Sequence, residues 1–254
     1  MKLRVLGCSG SIGGGLRTTA FLLDDDILID GGTGVGDLTL EELRRIDHVF
    51  VTHSHLDHVA CIPFLLDTVG AQRDRPVTLH ASTETIANLR VHLFNWKLWP
   101  DFAAIPSEQA PYLRYQPMAL GESVRLGRRT ICSLPANHVV PAVGYHLDSG
   151  SASLVFTGDT APCDALWAAV NQIANLRYLI IETAFSNLEG ALAEASKHLT
   201  PDLLAGELGK LRREAEIFIS HLKPVDGAST MEEVRAVAAA WAPRMLEHAQ
   251  VLEF

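Results

Sequence analysis

The sequence predicts an α/β protein with sheet inside and helices outside. Strand-like apolar runs alternate with stretches of helical periodicity through two successive halves, and no Pro/Gly-rich linker divides them. At 254 residues, 48% of them hydrophobic and 20% charged, the chain has the material to bury such a layered core. It is expected to form one domain over residues 1–254.

In chain order, Leu3 to Leu6 reads as the opening strand. The glycine-rich loop Gly7 to Gly15 follows; it lacks the Gly-Lys-Ser/Thr ending of a phosphate-binding loop and is read as a turn with positive backbone angles, bordering whatever site lies nearby. Ala20 to Leu23 and Ile27 to Asp30 form a hairpin turning at Asp24-Asp25-Asp26. Thr39 with Glu42 is a capping box for a short helix to Ile46. Strand His48 to Thr52 comes next, then a helix from Val59 to Val69 that tolerates Pro63 near its start. Val77 to His80 is strand, and Thr83 to Asn95 is helix with an apolar stripe at Ile86, Leu89 and Leu93. The aromatic segment Phe94 to Phe102 reads as core.

Short strands fill residues 111–157, with Val143 to Leu147 and Ser153 to Thr157 flanking a turn at Asp148-Ser149-Gly150. Helices are expected at Pro162 to Asn175, at Thr200-Pro201 through Arg213, and at Ser229 to Trp241 capped by Ser229 or Thr230. Buried strands are expected at Tyr178 to Glu182 and Glu216 to Ser220.

Composition narrows function. A net charge of −9 at pH 7 opposes a protein that embraces nucleic acid by counterion release. A small anionic substrate stays compatible, because bound cations reverse the charge locally. Cys8, Cys61, Cys132 and Cys163 are widely spaced and form no Cys-x-x-Cys pair, which fits buried, inert thiols in a reducing cytosol better than a disulfide framework. No apolar run is long enough to span a bilayer, and the N-terminal run is too short for a signal peptide, so the expected location is the cytoplasm.

The chemistry concentrates in His53-Ser54-His55-Leu56-Asp57-His58. Three imidazoles and a carboxylate lie at a strand end, with His53 and His55 facing one way and Asp57 and His58 at the start of a helix. Such donors suit a divalent transition metal. His138, Asp159 and His221 each close a further predicted strand beside turn-prone residues. Asp30 is read either as a turn cap or as the partner that orients a ligand histidine. His48, His80, His92, His146 and His248 lack a ligand context.

The set His-x-His-x-Asp-His, then His, Asp and His, resembles the metallo-β-lactamase superfamily over essentially the whole chain. That resemblance implies a four-layer αββα sandwich with a dinuclear site at its edge. It implies that His53, His55 and His138 hold one metal, that Asp57, His58 and His221 hold the other, and that Asp159 bridges them. The stretches Asp30 to Leu66, Phe94 to Phe102, His198 to Pro201 and Ile219 to Pro224 are similar to class II 3′,5′-cyclic-nucleotide phosphodiesterases. The run Val59-Ala60-Cys61-Ile62-Pro63, and Ala161 after Gly-Asp-Thr, depart from that family's pattern. Glu182 and His198 resemble a pair shared with tRNA 3′-processing nucleases, in which the histidine approaches the scissile phosphate and the glutamate supports it.

The expectation is therefore a metal-dependent phosphodiesterase converting cAMP or cGMP to nucleoside 5′-monophosphates. It uses two divalent cations per chain, zinc foremost, with manganese or iron also suited. Asp57, His198 and Glu182 are its candidate catalytic groups, the last two positioned to deliver a proton to the leaving oxygen. A homodimer through the aromatic segment is expected from the family. The rival readings are a tRNA 3′-processing nuclease, another ester hydrolase of this fold, or a binding protein without catalysis.

Overall fold

A computed structural model describes residues 1–254. Strands β1 (Lys2–Gly7), β2 (Ala20–Leu23), β3 (Ile27–Ile29), β4 (His48–Phe50), β5 (Val77–Ala81) and β6 (Leu113–Pro117) make most of one sheet. Strands β7 (Ser123–Leu126), β8 (Arg129–Pro135), β9 (Val143–Asp148), β10 (Ser153–Phe156), β11 (Leu176–Glu182), β12 (Glu216–Ser220) and β13 (Arg244–Met245) make the other. The chain ends by returning β14 (Val251–Glu253) to the edge of the first sheet beside β1, so each sheet has seven strands.

Period-two patterning explains how the sheets stack. Phe21 and Leu23, Ile27 and Ile29, and Phe50 point into a core shared with Tyr145, Leu147, Phe156, Ile180 and Phe218 of the second sheet. Their neighbours Leu22, Leu28 and Val49 point the other way, onto α3 (Ile62–Val69) and α4 (Thr83–His92), through Ile62, Leu65, Leu66, Ile86 and Leu89. In the second sheet Leu179, Ile181, Ile217 and Ile219 face outward onto α5 (Asp164–Val170), α7 (Pro201–Leu208) and α8 (Gly227–Val237). The layers are helix, sheet, sheet, helix, the expected αββα sandwich. No helix is long and apolar enough to cross a membrane.

Several elements differ from the sequence expectation, each for a local reason. The helix expected over 59–69 breaks into α2 (Leu56–Val59) and α3, because the Cys61 N–H donates to the Gly31 carbonyl (2.8 Å) rather than up its own helix. The helix expected from Pro162 starts later, at Asp164, where the Cys163 N–H and the Trp167 indole both donate to buried Glu207. α8 starts at Gly227 with Asp226 as its cap; Ser229 Oγ instead donates to the Asp226 carbonyl. Helix α7 stops at Leu208, short of Arg213. The aromatic segment divides, with Phe94 and Phe102 buried but Trp96 and Leu98 turned outward. None of the four cysteines is paired and each is half-buried; burial pushes the Cys8 thiol up to about 12.

Helix α1 (Leu40–Arg45) buries no side chain, so its start depends on the capping box. The Thr39 N–H donates to Glu42 Oε2 at 2.9 Å, the Glu42 N–H donates to Thr39 Oγ1 at 3.3 Å, and Arg4 pairs with Glu42 at 2.6 Å. The Thr39 N–H, with Arg4 adding to it, holds the Glu42 carboxyl down to about 2 from its ordinary value of 4.5. A depressed carboxylate stabilises the fold above its unfolded pKa and loses that contribution as pH falls through its folded one. Thr39→Ala is expected to cost about 1 kcal/mol in urea denaturation at neutral pH. The deficit of Glu42→Gln should shrink on acidification and vanish near pH 2.

Candidate metal centre

The carboxyl ends of β4, β10, β11 and β12 open at one edge of the sandwich, where the loops after them bring the candidate donors together. Hydrogen bonds close this edge between the sheets: the Tyr145 hydroxyl donates to the Val51 carbonyl (2.8 Å), and the Val143 N–H donates to the Thr52 carbonyl (3.0 Å). His53 lies three residues beyond β4, and His55 is the residue from which α2 starts. Their rings lie 4.7 Å apart.

His138 comes from the β8–β9 loop and Asp159 from the loop after β10. The two loops are tied where the Asn137 N–H donates to Thr160 Oγ1 (2.9 Å) and the Ala161 N–H to the Asn137 carbonyl (2.8 Å). His221 follows β12 in the left-handed region (φ 64°), with its N–H donating to the Cys8 carbonyl at 2.7 Å. Non-glycine residues adopt that conformation at a cost of about 1 kcal/mol or more, so the surrounding contacts must hold it. Gly10 is one of them: a Cβ there would stand 2.6 Å from the His221 carbonyl and 2.8 Å from its ring. The glycine-rich loop thus packs directly on a candidate ligand.

Two donor groups result. His53, His55, His138 and Asp159 each offer an atom within 4.8 Å of the others, and so do Asp57, His58, Asp159 and His221. Asp159 belongs to both. Its Oδ2 is 3.6 Å from His53 Nε2 and 3.3 Å from His58 Nε2, and its Oδ1 is 3.3 Å from His221 Nδ1. Asp57 lies at the rim, 3.6 Å from His58 and 3.8 Å from His221.

The polar atoms fit a cation. His53 Nε2, His58 Nε2 and His221 Nδ1 are buried without any hydrogen-bond partner. An orphaned buried polar atom costs about 1–3 kcal/mol, and three around one carboxylate are hard to account for unless a bound ion satisfies them. The outer nitrogens are already fixed. His138 Nδ1 donates to the Lys197 carbonyl (3.1 Å), which leaves Nε2 with its lone pair toward the cluster. His58 Nδ1 lies 2.7 Å from Asp30 Oδ2, and that carboxylate also accepts from the Thr52 N–H at 2.8 Å. Asp30 is therefore the orienting partner of the two readings the sequence left open.

The electrostatics follow burial and charge. Burial pushes His138 and His221 down to about 4 and His53 well below the usual imidazole range. Burial also opposes a charged His58, but the Asp159 and Asp30 carboxylates outweigh it and push its pKa well up. Burial would raise Asp159; His221 and His58 overcome it and hold the carboxyl far below its ordinary value.

Glu182, at the end of β11, and His198 meet beside this cluster. Glu182 Oε1 lies 2.7 Å from His198 Nδ1 and accepts the Thr160 N–H at 3.1 Å, while Oε2 accepts the Leu199 N–H at 3.3 Å. The His198 ring stacks on His221, centroids 5.1 Å apart, and lies 5.0 Å from His138. Burial raises the Glu182 pKa; for His198 burial works downward, and the adjoining carboxylate more than reverses it. All of the candidate residues are brought to one edge. Thr52 and Lys197 were missed. Thr52 adjoins the histidine motif and Lys197 precedes His198, but only the fold reveals that a left-handed Lys197 offers its carbonyl to His138 and its ammonium to Asn137 Oδ1 (3.1 Å).

This sandwich with two His/Asp donor sets sharing a carboxylate defines the class: a metal-dependent hydrolase of the metallo-β-lactamase fold. The chain belongs to the family described as the beta-lactamase superfamily domain, which matches residues 26–240. A "Probable 3',5'-cyclic-nucleotide phosphodiesterase" of Yersinia pestis is 30% identical over 205 residues, 71% of this chain and 58% of that protein, so the match spans under two thirds of that relative's length. A "Ribonuclease Z" of Bradyrhizobium sp. (strain ORS 278) is 29% identical over 292 residues, 93% of each chain. Among solved structures, unliganded yeast PDE1 aligns with a TM-score of 0.80 at 18% identity, covering 100% of this chain and 99% of that one, a likeness of fold.

Asp30→Asn keeps the shape of the His58 partner but removes its charge. It is expected to weaken zinc affinity about 10- to 100-fold, read by chelator competition, with the fold retained by circular dichroism.

Proposed function

We propose that this chain hydrolyses 3′,5′-cyclic nucleotides, cAMP or cGMP, to nucleoside 5′-monophosphates. The observation that carries the phosphodiester chemistry is the buried Glu182–His198 pair, 2.7 Å apart and stacked against His221 at the edge of two donor sets that share Asp159. The relative from Yersinia pestis, named a probable 3′,5′-cyclic-nucleotide phosphodiesterase, supports the substrate class.

In this reading His53, His55 and His138 hold one divalent cation, Asp57, His58 and His221 hold the other, and Asp159 is shared. Zinc suits these donors, as do manganese and iron. When bound, such ions acidify water and neutralise charge on phosphoryl oxygens. The chain's own residues then supply the rest. Asp30 and the Lys197 carbonyl keep the His58 and His138 rings turned so that their second nitrogens face inward. Glu182 engages His198 Nδ1 and favours the protonated ring, leaving Nε2 to deliver a proton. As the water oxygen bonds to phosphorus, the bond from phosphorus to the 3′-oxygen breaks and that oxygen takes the His198 proton. The product is a 5′-monophosphate with a free 3′-hydroxyl.

A tRNA 3′-processing nuclease is the second reading, favoured by the 93% span shared with a ribonuclease Z. The net charge of −9 opposes it, since an RNA backbone is held by neutralising phosphates.

The test is turnover of cAMP, cGMP, bis(p-nitrophenyl) phosphate and a tRNA precursor by zinc- or manganese-loaded protein. Rapid cyclic-nucleotide hydrolysis is expected, with Asp159→Ala and His55→Ala inactive yet folded. Cleavage of the tRNA precursor alone would replace this reading with the second one. His198→Ala is expected to slow cyclic-nucleotide turnover about 10²- to 10⁴-fold. It should slow bis(p-nitrophenyl) phosphate far less, because p-nitrophenolate leaves without a proton. Equal loss on both substrates would remove His198 from the role of acid.

A further inference from the structure

A cavity of 350 Å³, near the lower end of the size range of small-molecule sites, is lined by none of the candidate ligands but in part by their neighbours in the chain. Ser54 stands between His53 and His55, Leu56 follows His55, and Val140 lies two residues past His138. A molecule whose phosphate met the cluster would extend into it. Leu89 and Leu93 of the α4 region line it together with Leu98 of the aromatic segment. Leu56 and Leu98 are 66% and 62% exposed, so two leucines of this cavity lie largely bare.

Asn88 supplies its specific polar contact. The side-chain amide makes one hydrogen bond within the protein, from Nδ2 to Ser54 Oγ at 3.2 Å. One N–H and the amide oxygen are left over, a donor beside an acceptor on a mostly apolar wall that also carries Ser54 and His92. A larger cavity of 650 Å³ lies across Val140, but its amide, Asn137, is already committed to the Pro162 carbonyl and to Lys197 Nζ.

We propose that the smaller cavity is the nucleobase pocket of this enzyme and that Asn88 reads the edge of the base. The proposal rests on the cyclic-nucleotide reading above. Leucine walls cover the faces of a planar heterocycle, removing its apolar surface and their own from water. The Asn88 amide matches adenine, which sets the N6 amino donor beside a ring-nitrogen acceptor on both of its reachable edges. Guanine sets two acceptors, N7 and O6, on the edge where adenine sets N7 and N6, and meets an amide only by turning O6 and N1–H, or N3 and N2–H, toward it. The pocket therefore favours adenine, and 3′,5′-cAMP is the preferred substrate over 3′,5′-cGMP.

The experiment compares kcat/KM for cAMP, cGMP and bis(p-nitrophenyl) phosphate in the wild type, Asn88→Ala and Leu98→Glu, all zinc-loaded. Calorimetric binding of 5′-AMP and 5′-GMP is measured alongside. The wild type should prefer cAMP. Asn88→Ala should lose about tenfold or more on cAMP and on 5′-AMP affinity, with the cAMP-to-cGMP ratio moving toward unity. Leu98→Glu, on an exposed wall, should weaken both nucleotides alike. Neither variant should change hydrolysis of the base-free diester, which also reports that it is folded and loaded. A wild type active on cAMP whose Asn88→Ala variant keeps the same cAMP rate and 5′-AMP affinity overturns the pocket assignment alone. A wild type inert toward both cyclic nucleotides but active on the artificial diester overturns the proposed function, and the pocket with it.

Discussion

Asp159 is a carboxylate closed off from water and faced by the imidazoles of His53, His58 and His221, with no Lys or Arg in its ion pairs. Burying such a charge is costly unless it is paired and hydrogen-bonded. The protein alone can pair it only by protonating one of the surrounding rings, and it leaves three ring nitrogens without any partner. A divalent cation held by these donors would resolve both deficits at once. The rest of the architecture acts as a holder for that arrangement, keeping rings from distant parts of the chain aimed at one carboxylate.

The holding is done mostly by backbone and by buried polar side chains. His221 and Asp159 follow strands of the second sheet, while His53 follows a strand of the first. The inter-sheet core around Phe50, Tyr145 and Phe156 therefore fixes the distance between donor sets, and Tyr145 contributes a hydrogen bond across to Val51. Asp30 is itself held in a left-handed turn (φ 58°) with full burial, where it can bind the Thr52 N–H and the His58 ring together. Burial lifts the pKa of Asp30, and its hydrogen bonds to His58 and Thr52 work against that lift.

Much of this was legible because the relevant signals are local. Strand ends announce themselves by period-two apolar runs that stop at polar residues, and His53, His138, Asp159 and His221 all stand just past such stops. Asp159 and His221 meet because β10, β11 and β12 run parallel and end at one edge, as alternating strand and helix patterns imply, whereas His138 arrives from a loop between the antiparallel β8 and β9. Other features had no local signal. The break between α2 and α3 depends on the Gly31 carbonyl, far upstream, capturing the Cys61 N–H. Glu207, an acidic residue on a helix, reads as solvated until the fold places the Trp167 indole against it. Strands β13 and β14 are too short for a pattern and exist because the edges of β12 and β1 are free to pair with them. The aromatic segment read as uniform core because composition cannot tell which side of a turn faces water.

The separation between centre and walls accounts for a chain that is similar both to a phosphodiesterase of small cyclic nucleotides and to a ribonuclease. Breaking a phosphodiester makes the same demands in either case: charge neutralised on two oxygens, an ionised water, and a proton for the leaving oxygen. In the proposed mechanism those demands fall on the candidate metal donors, on Asp159 and on the Glu182–His198 pair, none of which can sense what lies beyond the phosphate. Discrimination must come from surfaces that leave this chemistry untouched. In the proposed pocket those surfaces are side chains interleaved with the candidate ligands, Ser54 and Leu56 around His55 and Val140 beyond His138, so a substitution that changes them need not disturb the donors. In the proposed reading a half-open pocket with an amide suits one base rather than a polymer, and the net charge of −9 disfavours a long phosphate backbone.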